Sequence, residues 1–299
     1  MCRLFATLST KPVDAAFFLE TASQSLLKQS HFDPKRLQAD GWGVGWFEQG
    51  QPKISKSPRA IFKDRPRIHR AERIVHGPCL VGHSRWASNP LKLPKQELIG
   101  LAHSQPFQHG GWLFAHNGTL FIPREVQAEL GPWAKYVKGK NDSEVLFYWL
   151  MKTFIQKMGA DPGQRGQTGT DGQTPLPGSD TRRLLLTSFR RLEKIWQGCR
   201  KRYPLYKHPY HGVNIVLTNG RVLYALCYVH SGGFDRAKAL CNHRQPYYQL
   251  QIQHTSHTVT VASEPLTPDT PWEPMRHGQL VTAWRQGNTL QIRKTQVFR

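Results

Sequence analysis

The chain has 299 residues, with 41 Lys and Arg against 20 Asp and Glu and a formal charge of +21. That length can bury a substantial core and suits one large domain or two small ones. No apolar run reaches membrane-spanning length, the start lacks the charged-then-apolar pattern of a signal peptide, and five cysteines do not make a disulfide framework in a chain of this size, so a cytoplasmic, reduced setting is expected.

In chain order, Cys2 to Ser9 reads as an apolar strand entering the core. Val13 to Lys28, after Pro12, carries apolar residues at helical spacing and predicts a helix. Asp40 to Phe47 alternates Trp and Phe with Gly and predicts a buried strand that another backbone approaches closely, with Trp42 and Trp46 read as packing. Pro78 to Trp86 and Gly111 to Thr119 predict two more strands, and Val145 to Met158 a helix apolar over most of its surface.

The stretch 159–180 holds six Gly, three Pro and no aromatic residue, which predicts a flexible insertion. Thr181 to Arg202 then reads as an amphipathic helix, with Leu185, Phe189, Leu192 and Trp196 on one face and Arg183, Arg190 and Lys194 opposite. It is either a solvated helix or a docking face. Beyond Gly212, short β-branched and aromatic segments alternate with turns: Val213–Thr218, Val222–Tyr228, Val259–Ala262, Leu280–Ala283 and Leu290–Arg293, with Asn219-Gly220 a hairpin signal. Periodicity alone gives an α+β chain.

Chemistry concentrates near the start. Removal of Met1 would leave Cys2 N-terminal, and such a nucleophile carries its own base: an α-amine titrating near ~7.7–8.0, a few bonds from the thiol. Arg85 has the planar fork that suits a carboxylate, and Asp142 is a carboxylate for an ammonium. Asn117 offers a side-chain amide and Gly118 an unobstructed N–H for an oxyanion. Each has a plainer reading. Cys2 can simply open a strand, Arg85 can be a surface arginine, Asn117-Gly118 is also a hairpin signal, and Asp142-Ser143-Glu144 can cap the helix that follows. His83, His103 and His116 fit no zinc spacing, so no metal or cofactor is called for.

Five ordered segments carry a resemblance: Met1-Cys2-Arg3-Leu4-Phe5, Asp40-Gly41-Trp42-Gly43-Val44-Gly45-Trp46, His83-Ser84-Arg85-Trp86-Ala87-Ser88, Phe114-Ala115-His116-Asn117-Gly118-Thr119-Leu120 and Asn141-Asp142-Ser143-Glu144. Together they resemble the class II glutamine amidotransferases, a branch of the N-terminal-nucleophile hydrolases, and Val261-Ala262-Ser263-Glu264-Pro265-Leu266 looks like the stand-alone branch. The small stand-alone members it is similar to include a γ-glutamyl hydrolase of ergothioneine biosynthesis. The resemblance implies a four-layer αββα sandwich of two stacked antiparallel sheets, occupying 1–299 as one domain. It implies hydrolysis of glutamine or a γ-glutamyl amide through a Cys2 thioester, releasing glutamate, with Asn117 and Gly118 at the oxyanion. Arg85, Trp86, Ser88 and Asp142 would bind the substrate. Arg3, beside the nucleophile, has no assigned role. The family's His-Pro-Phe motif is interrupted here, since two residues separate His103 from Pro106.

No second catalytic domain is evident, so the partner expected is a small γ-glutamyl molecule, with an ammonia-accepting or peptidase chain as a further possibility. The alternative is a non-catalytic, basic binding subunit, a role with no need for a Cys at position two. The charge invites nucleic acid, but no helix-turn-helix, zinc finger or RNP-type motif accompanies it. It reads mainly as a surface property.

Overall fold

The computed structural model describes residues 2–158, 178–229, 240–242 and 245–298. The elements in order are β1 (Arg3–Asp14), α1 (Leu26–Ser30), β2 (Trp42–Glu48), β3 (Gln51–Ser57), α2 (Arg65–Ile74), β4 (His76–Ser84), β5 (Phe107–His109), β6 (Trp112–Leu120), α3 (Pro123–Ala128), α4 (Asp142–Met158) and α5 (Gly178–Cys199). The rest is strand: β7 (Tyr210–Thr218), β8 (Val222–Cys227), β9 (Gln251–His254), β10 (Thr258–Ala262), β11 (Glu273–Pro274), β12 (Gln279–Gln286) and β13 (Thr289–Gln296), with several 3-10 turns between elements.

The strands form two antiparallel sheets, ordered β11-β9-β10-β1-β4-β2-β3 and β13-β12-β8-β7-β6-β5. Strand β1 lies between β10 and β4, with Phe5 opposite Ala262 on one side and Gly82 on the other, so the two ends of the chain share a sheet. Three apolar layers fill the structure. Leu4, Ala6 and Leu8 meet Leu113, Ala115 and Val216 between the sheets. Phe5, Trp42 and Leu80 face Phe18, Leu26 and Ile68 on the outer side of the first sheet, and Phe114 and Ile215 face Phe147, Phe189 and Trp196 on the outer side of the second. Alternate residues of β1 thus enter different layers, as a period of two demands. The result is the four-layer αββα sandwich.

Several expectations change. Strand β1 runs on to Asp14, with a register irregularity between Leu8 and Val13, so the helix expected from Val13 to Lys28 does not form as one piece. Instead Phe17–Thr21 makes one wide turn, Ala22 is extended, and Ser25 starts α1 by accepting from the Lys28 N–H at 3.4 Å. The small polar run Ala22–Ser25 competes with helix through its own side chains. The stretch 159–177 of the expected insertion lies outside the described residues, while Gly178 to Asp180 belongs to α5. On α5 the apolar face is core: Leu185, Phe189, Leu192 and Trp196 are buried and Arg183, Arg190 and Lys194 exposed. Asn219-Gly220 does turn β7 into β8, with Gly220 at φ +82°. Asn117-Gly118 makes no turn, since both lie within β6 opposite Asn214 and Val213. Among the described residues no helix is long and apolar enough to cross a membrane.

Candidate active site

Cys2, with 8% of its surface exposed, lies at the start of β1 between the loop after β4 and strand β6. Its sulfur accepts from the Trp86 N–H at 3.3 Å and can donate to the Trp86 carbonyl at the same distance. Asn117 donates its side-chain amide to the Cys2 carbonyl at 3.0 Å. Burial pushes the thiol pKa up; the positive amino terminus, the Trp86 N–H and the Arg85 guanidinium pull the other way. Burial, the largest of these effects, disfavours the thiolate.

Arg85 is buried, at 2% exposed, rather than a surface arginine. Its Nη1 donates to the Leu98 carbonyl at 2.7 Å and the Asp40 carbonyl at 3.3 Å. Burial lowers its pKa, while Cys2, Asp142 and Asp40 raise it by attraction. Among the described residues no carboxylate lies within ion-pair distance of this guanidinium. A buried cation without a counter-ion is costly unless a ligand supplies one.

Asp142, also buried, accepts from Ser88 Oγ at 2.7 Å through one oxygen and from the Leu120 N–H at 2.8 Å through the other. It does not cap α4: Asn141 does, its Oδ1 accepting from the Ser143 N–H at 2.9 Å. Asp142, as the first helical residue, is left to face Ser88. Each of its oxygens keeps acceptor capacity for an ammonium. Trp86 is 37% exposed and binds Cys2 through its backbone. Gly118 has a reason of its own to lack a side chain, because a Cβ there would overlap the Gly212 carbonyl oxygen of the neighbouring strand.

Partners without a role assigned from the sequence complete the site. Arg3 and Glu264, buried to 1% and 0% exposure, form an ion pair at 2.8 Å, and Arg3 Nη1 donates to the Cys2 carbonyl at 3.3 Å. That carbonyl is thus held from two sides. Asp40 accepts from the Ala87 N–H at 2.8 Å and exchanges backbone hydrogen bonds with the Arg85 segment, bracing the loop that carries Arg85, Trp86 and Ser88. Gly41 adopts φ +114°, and a Cβ there would overlap Ser104 Oγ, so the bracing turn needs glycine. Asp40 and Glu264 stand in segments that carry the resemblance, and as acids inside apolar, Gly-rich or strand-like stretches each must find a partner.

The histidines are structural. His116 Nε2 donates to the Gly212 carbonyl at 3.1 Å and its Nδ1 accepts from Ser143 Oγ at 2.9 Å, while His83 Nε2 donates to the His116 carbonyl at 3.2 Å. Burial holds both imidazoles neutral, His83 down to about 3. The one described cluster of metal-ligating type, Glu20, His69 and Glu72, lies elsewhere. His103 is also buried and lowered, mainly by burial, and its carbonyl accepts from Asn141 Nδ2 at 2.8 Å, tying its turn to the start of α4.

A family model described as class-II glutamine amidotransferases matches residues 1–171. Two curated relatives, both gamma-glutamyl-hercynylcysteine sulfoxide hydrolases from strains of Mycobacterium tuberculosis, are 27% and 26% identical over 194 residues, covering 63% of this chain and 77% of their own. Among solved structures, a glutamine aminotransferase class-II domain protein from Silicibacter pomeroyi aligns over all of both chains with TM-score 0.59 and 17% identity. The glutamine phosphoribosylpyrophosphate amidotransferase of B. subtilis, complexed with ADP and GMP, aligns over 98% of this chain and 49% of its own, with TM-score 0.53 and 13% identity. At these identities the structural likeness speaks for the fold alone.

Proposed function

This chain belongs to the class II glutamine amidotransferases, and on that footing we propose that it hydrolyses the γ-amide of glutamine or of a γ-glutamyl compound through a thioester on Cys2. The observation that carries the reading is the convergence on one thiol of a buried guanidinium without a counter-ion, Arg85, and a carboxylate with spare acceptor capacity, Asp142. These are the complements of the α-carboxylate and α-ammonium of a γ-glutamyl group.

Removal of Met1 frees the Cys2 α-amine. That amine takes the thiol proton, directly or through one water, as sulfur attacks the γ-carbonyl carbon. One hydrogen of the Asn117 amide already binds the Cys2 carbonyl; the other, with the Gly118 N–H, receives the oxyanion. The tetrahedral intermediate collapses, the C–N bond breaks, and the amine leaves with the proton the α-amine held. Water then attacks the thioester, glutamate departs and the thiol is restored. Ser88 and the Leu120 N–H hold Asp142 in place, and the Arg3–Glu264 pair holds the nucleophile's carbonyl. The whole chain serves as one catalytic domain in this reading, because strands from both ends flank Cys2. Hydrolysis of a γ-glutamyl compound is the activity in the names of the curated relatives. Five cysteines without a disulfide suit a reducing, cytoplasmic setting.

Cys2→Ala should abolish glutamate release while leaving the circular dichroism spectrum and melting unchanged, and the mass of the active protein should show Met1 removed. A diazoketone analogue of glutamine should add its mass to the peptide beginning at Cys2. The other thiols are poor competitors, since burial pushes Cys79 up to about 11 and Cys227 to about 12. Substantial turnover by a folded Cys2→Ala protein, or labelling at Cys79 or Cys199 instead, would overturn the mechanism.

A further inference from the structure

We propose that the cleft between α2 and the β2–β3 edge of the first sheet binds a phosphate monoester carrying an aromatic body. The cleft encloses about 710 Å³, within the usual range for a small-ligand site. One wall is sheet, with Trp46, Ile54 and Lys56; the other is α2, with Arg67, Arg70 and Ile74, three residues on one helical face. Arg59 comes from the turn between them. Four cations thus face one carboxylate, Asp64, and that carboxylate is occupied: its Oδ2 accepts from Trp42 Nε1 at 3.1 Å and lies 3.7 Å from Arg67 Nε. Among the described residues neither Arg59 nor Arg70 is paired with a carboxylate. Lys56 is half-buried, its ammonium 5.7 Å from the Phe107 ring centroid and attracted by the Glu144 carboxylate, so the three arginines carry the charge of the cleft.

Guanidinium forks match the oxygens of a phosphate. A purely ionic ligand would leave the rest of the cleft unused. The indole of Trp46, with Ile74 at 45% and Leu101 at 54% exposure, gives an apolar wall for a flat ring. The second cavity, beside the end of α5, is also basic, but its aromatic side chains are taken: Tyr206 stacks on Phe121 at 3.8 Å and the Tyr203 hydroxyl donates to Glu125 at 2.7 Å. Among the described residues Trp46 stacks on no other aromatic ring, although part of its indole packs against the core on the outer side of the first sheet. The cleft draws on none of the groups assigned to the amide chemistry.

Calorimetric titration of the whole protein with AMP, phenyl phosphate, inorganic phosphate and a single-stranded RNA dodecamer tests the proposal, with Arg59→Gln/Arg70→Gln beside the parent. Both arginines are exposed, so the variant should melt with the parent; Arg70→Gln alone replaces it if it does not. AMP and phenyl phosphate should bind, inorganic phosphate about tenfold or more weakly, and the variant should lose about tenfold or more for both esters. Three results would each overturn the proposal. They are no binding of either ester at millimolar concentration, equal affinity for inorganic phosphate and the esters, and ester binding untouched by the arginine substitutions. RNA binding far tighter than AMP, lost in the same variant, would reassign the cleft to nucleic acid.

Discussion

The Arg3–Glu264 pair allows stability and catalysis to be separated in one experiment. Both side chains are essentially dry, and they meet at 2.8 Å. Removing one partner of such a pair strands the other charge and costs about 3–5 kcal/mol. At about 2 °C per kcal/mol for a chain of this size, Glu264→Gln should lower Tm by roughly 6–10 °C. Arg3→Met should do likewise and also release the Cys2 carbonyl, to which Arg3 donates at 3.3 Å. Loss of a hydrogen bond from a charged donor is worth about 1.5–3 kcal/mol, or roughly ten- to a hundred-fold in kcat. In the double variant Arg3→Met/Glu264→Leu no charge is stranded, so Tm should recover most of the way. The remaining deficit includes the Asn242 N–H that donates to Glu264 Oε2 at 3.3 Å and the contact of Arg3 with the Tyr247 ring. Activity should not recover, because nothing replaces the donor on the Cys2 carbonyl. Urea melts and glutamate release on the four proteins are the assay. Recovery of both stability and activity in the double variant would show that the contact with Cys2 is idle. Single variants as stable as the parent would refute the cost assigned to the pair.

On the substrate side, Arg85→Lys should raise KM about tenfold or more with kcat less affected, since a point charge loses the fork that Arg85 presents. Asp142→Asn should act similarly through the ammonium, and unchanged kcat/KM in both would end the clamp assignment. Acid should destabilise the fold early: His83 is depressed from 6.5 to about 3 by burial, first of all, and by Arg85. The unfolded chain therefore binds a proton that the folded one refuses. The stability this contributes is full above about pH 6.5 and is lost as pH falls toward 3, at up to about 1.4 kcal/mol per pH unit. Stability of His83→Asn measured from pH 7 to 4 should fall less steeply than that of the parent, and parallel curves would refute the buried-neutral assignment.

The strands were legible in the sequence where one or both faces are buried. The strands expected over Asp40–Phe47, Val213–Thr218 and Val259–Ala262 are found as Trp42–Glu48, Tyr210–Thr218 and Thr258–Ala262, their ends within three residues of the expected places. Strand β3 was not legible, because Gln51–Ser57 is an edge strand with Pro52, Lys53 and Lys56, features that keep edges from pairing further. Helix α2 was hidden by its arginines, as only Ile68 and Ala71 of its ten residues are buried. The helix expected over Val13–Lys28 failed for the opposite reason: its apolar spacing is real, but β1 gains more by continuing alongside β4 to Asp14. At the site, Cys2, Arg85, Asn117 and Asp142 stood out because each is an unusual residue type in a short motif. Glu264 did not, because its role exists only through Arg3, 261 residues away along the chain.

The electrostatics of the site bear on how the thiol is activated. Arg85 is among the groups that favour a Cys2 thiolate, against the larger effect of burial. With Arg85 bound to an α-carboxylate, its field at the sulfur is largely cancelled. Asp142, whose charge also disfavours the thiolate, is cancelled in the same way by the α-ammonium. In the proposed complex the substrate would thus replace two opposed fields with a neutral pair, leaving burial opposed by the amino terminus and the Trp86 N–H. The proton has to move during attack, to a base within reach of the sulfur. Neither His83 nor His116 can serve, since each ring is buried and committed to a backbone carbonyl. In the proposed mechanism, the α-amine that loss of Met1 would expose lies a few bonds from the thiol, so removal of that residue would supply the base as well as the free N-terminus.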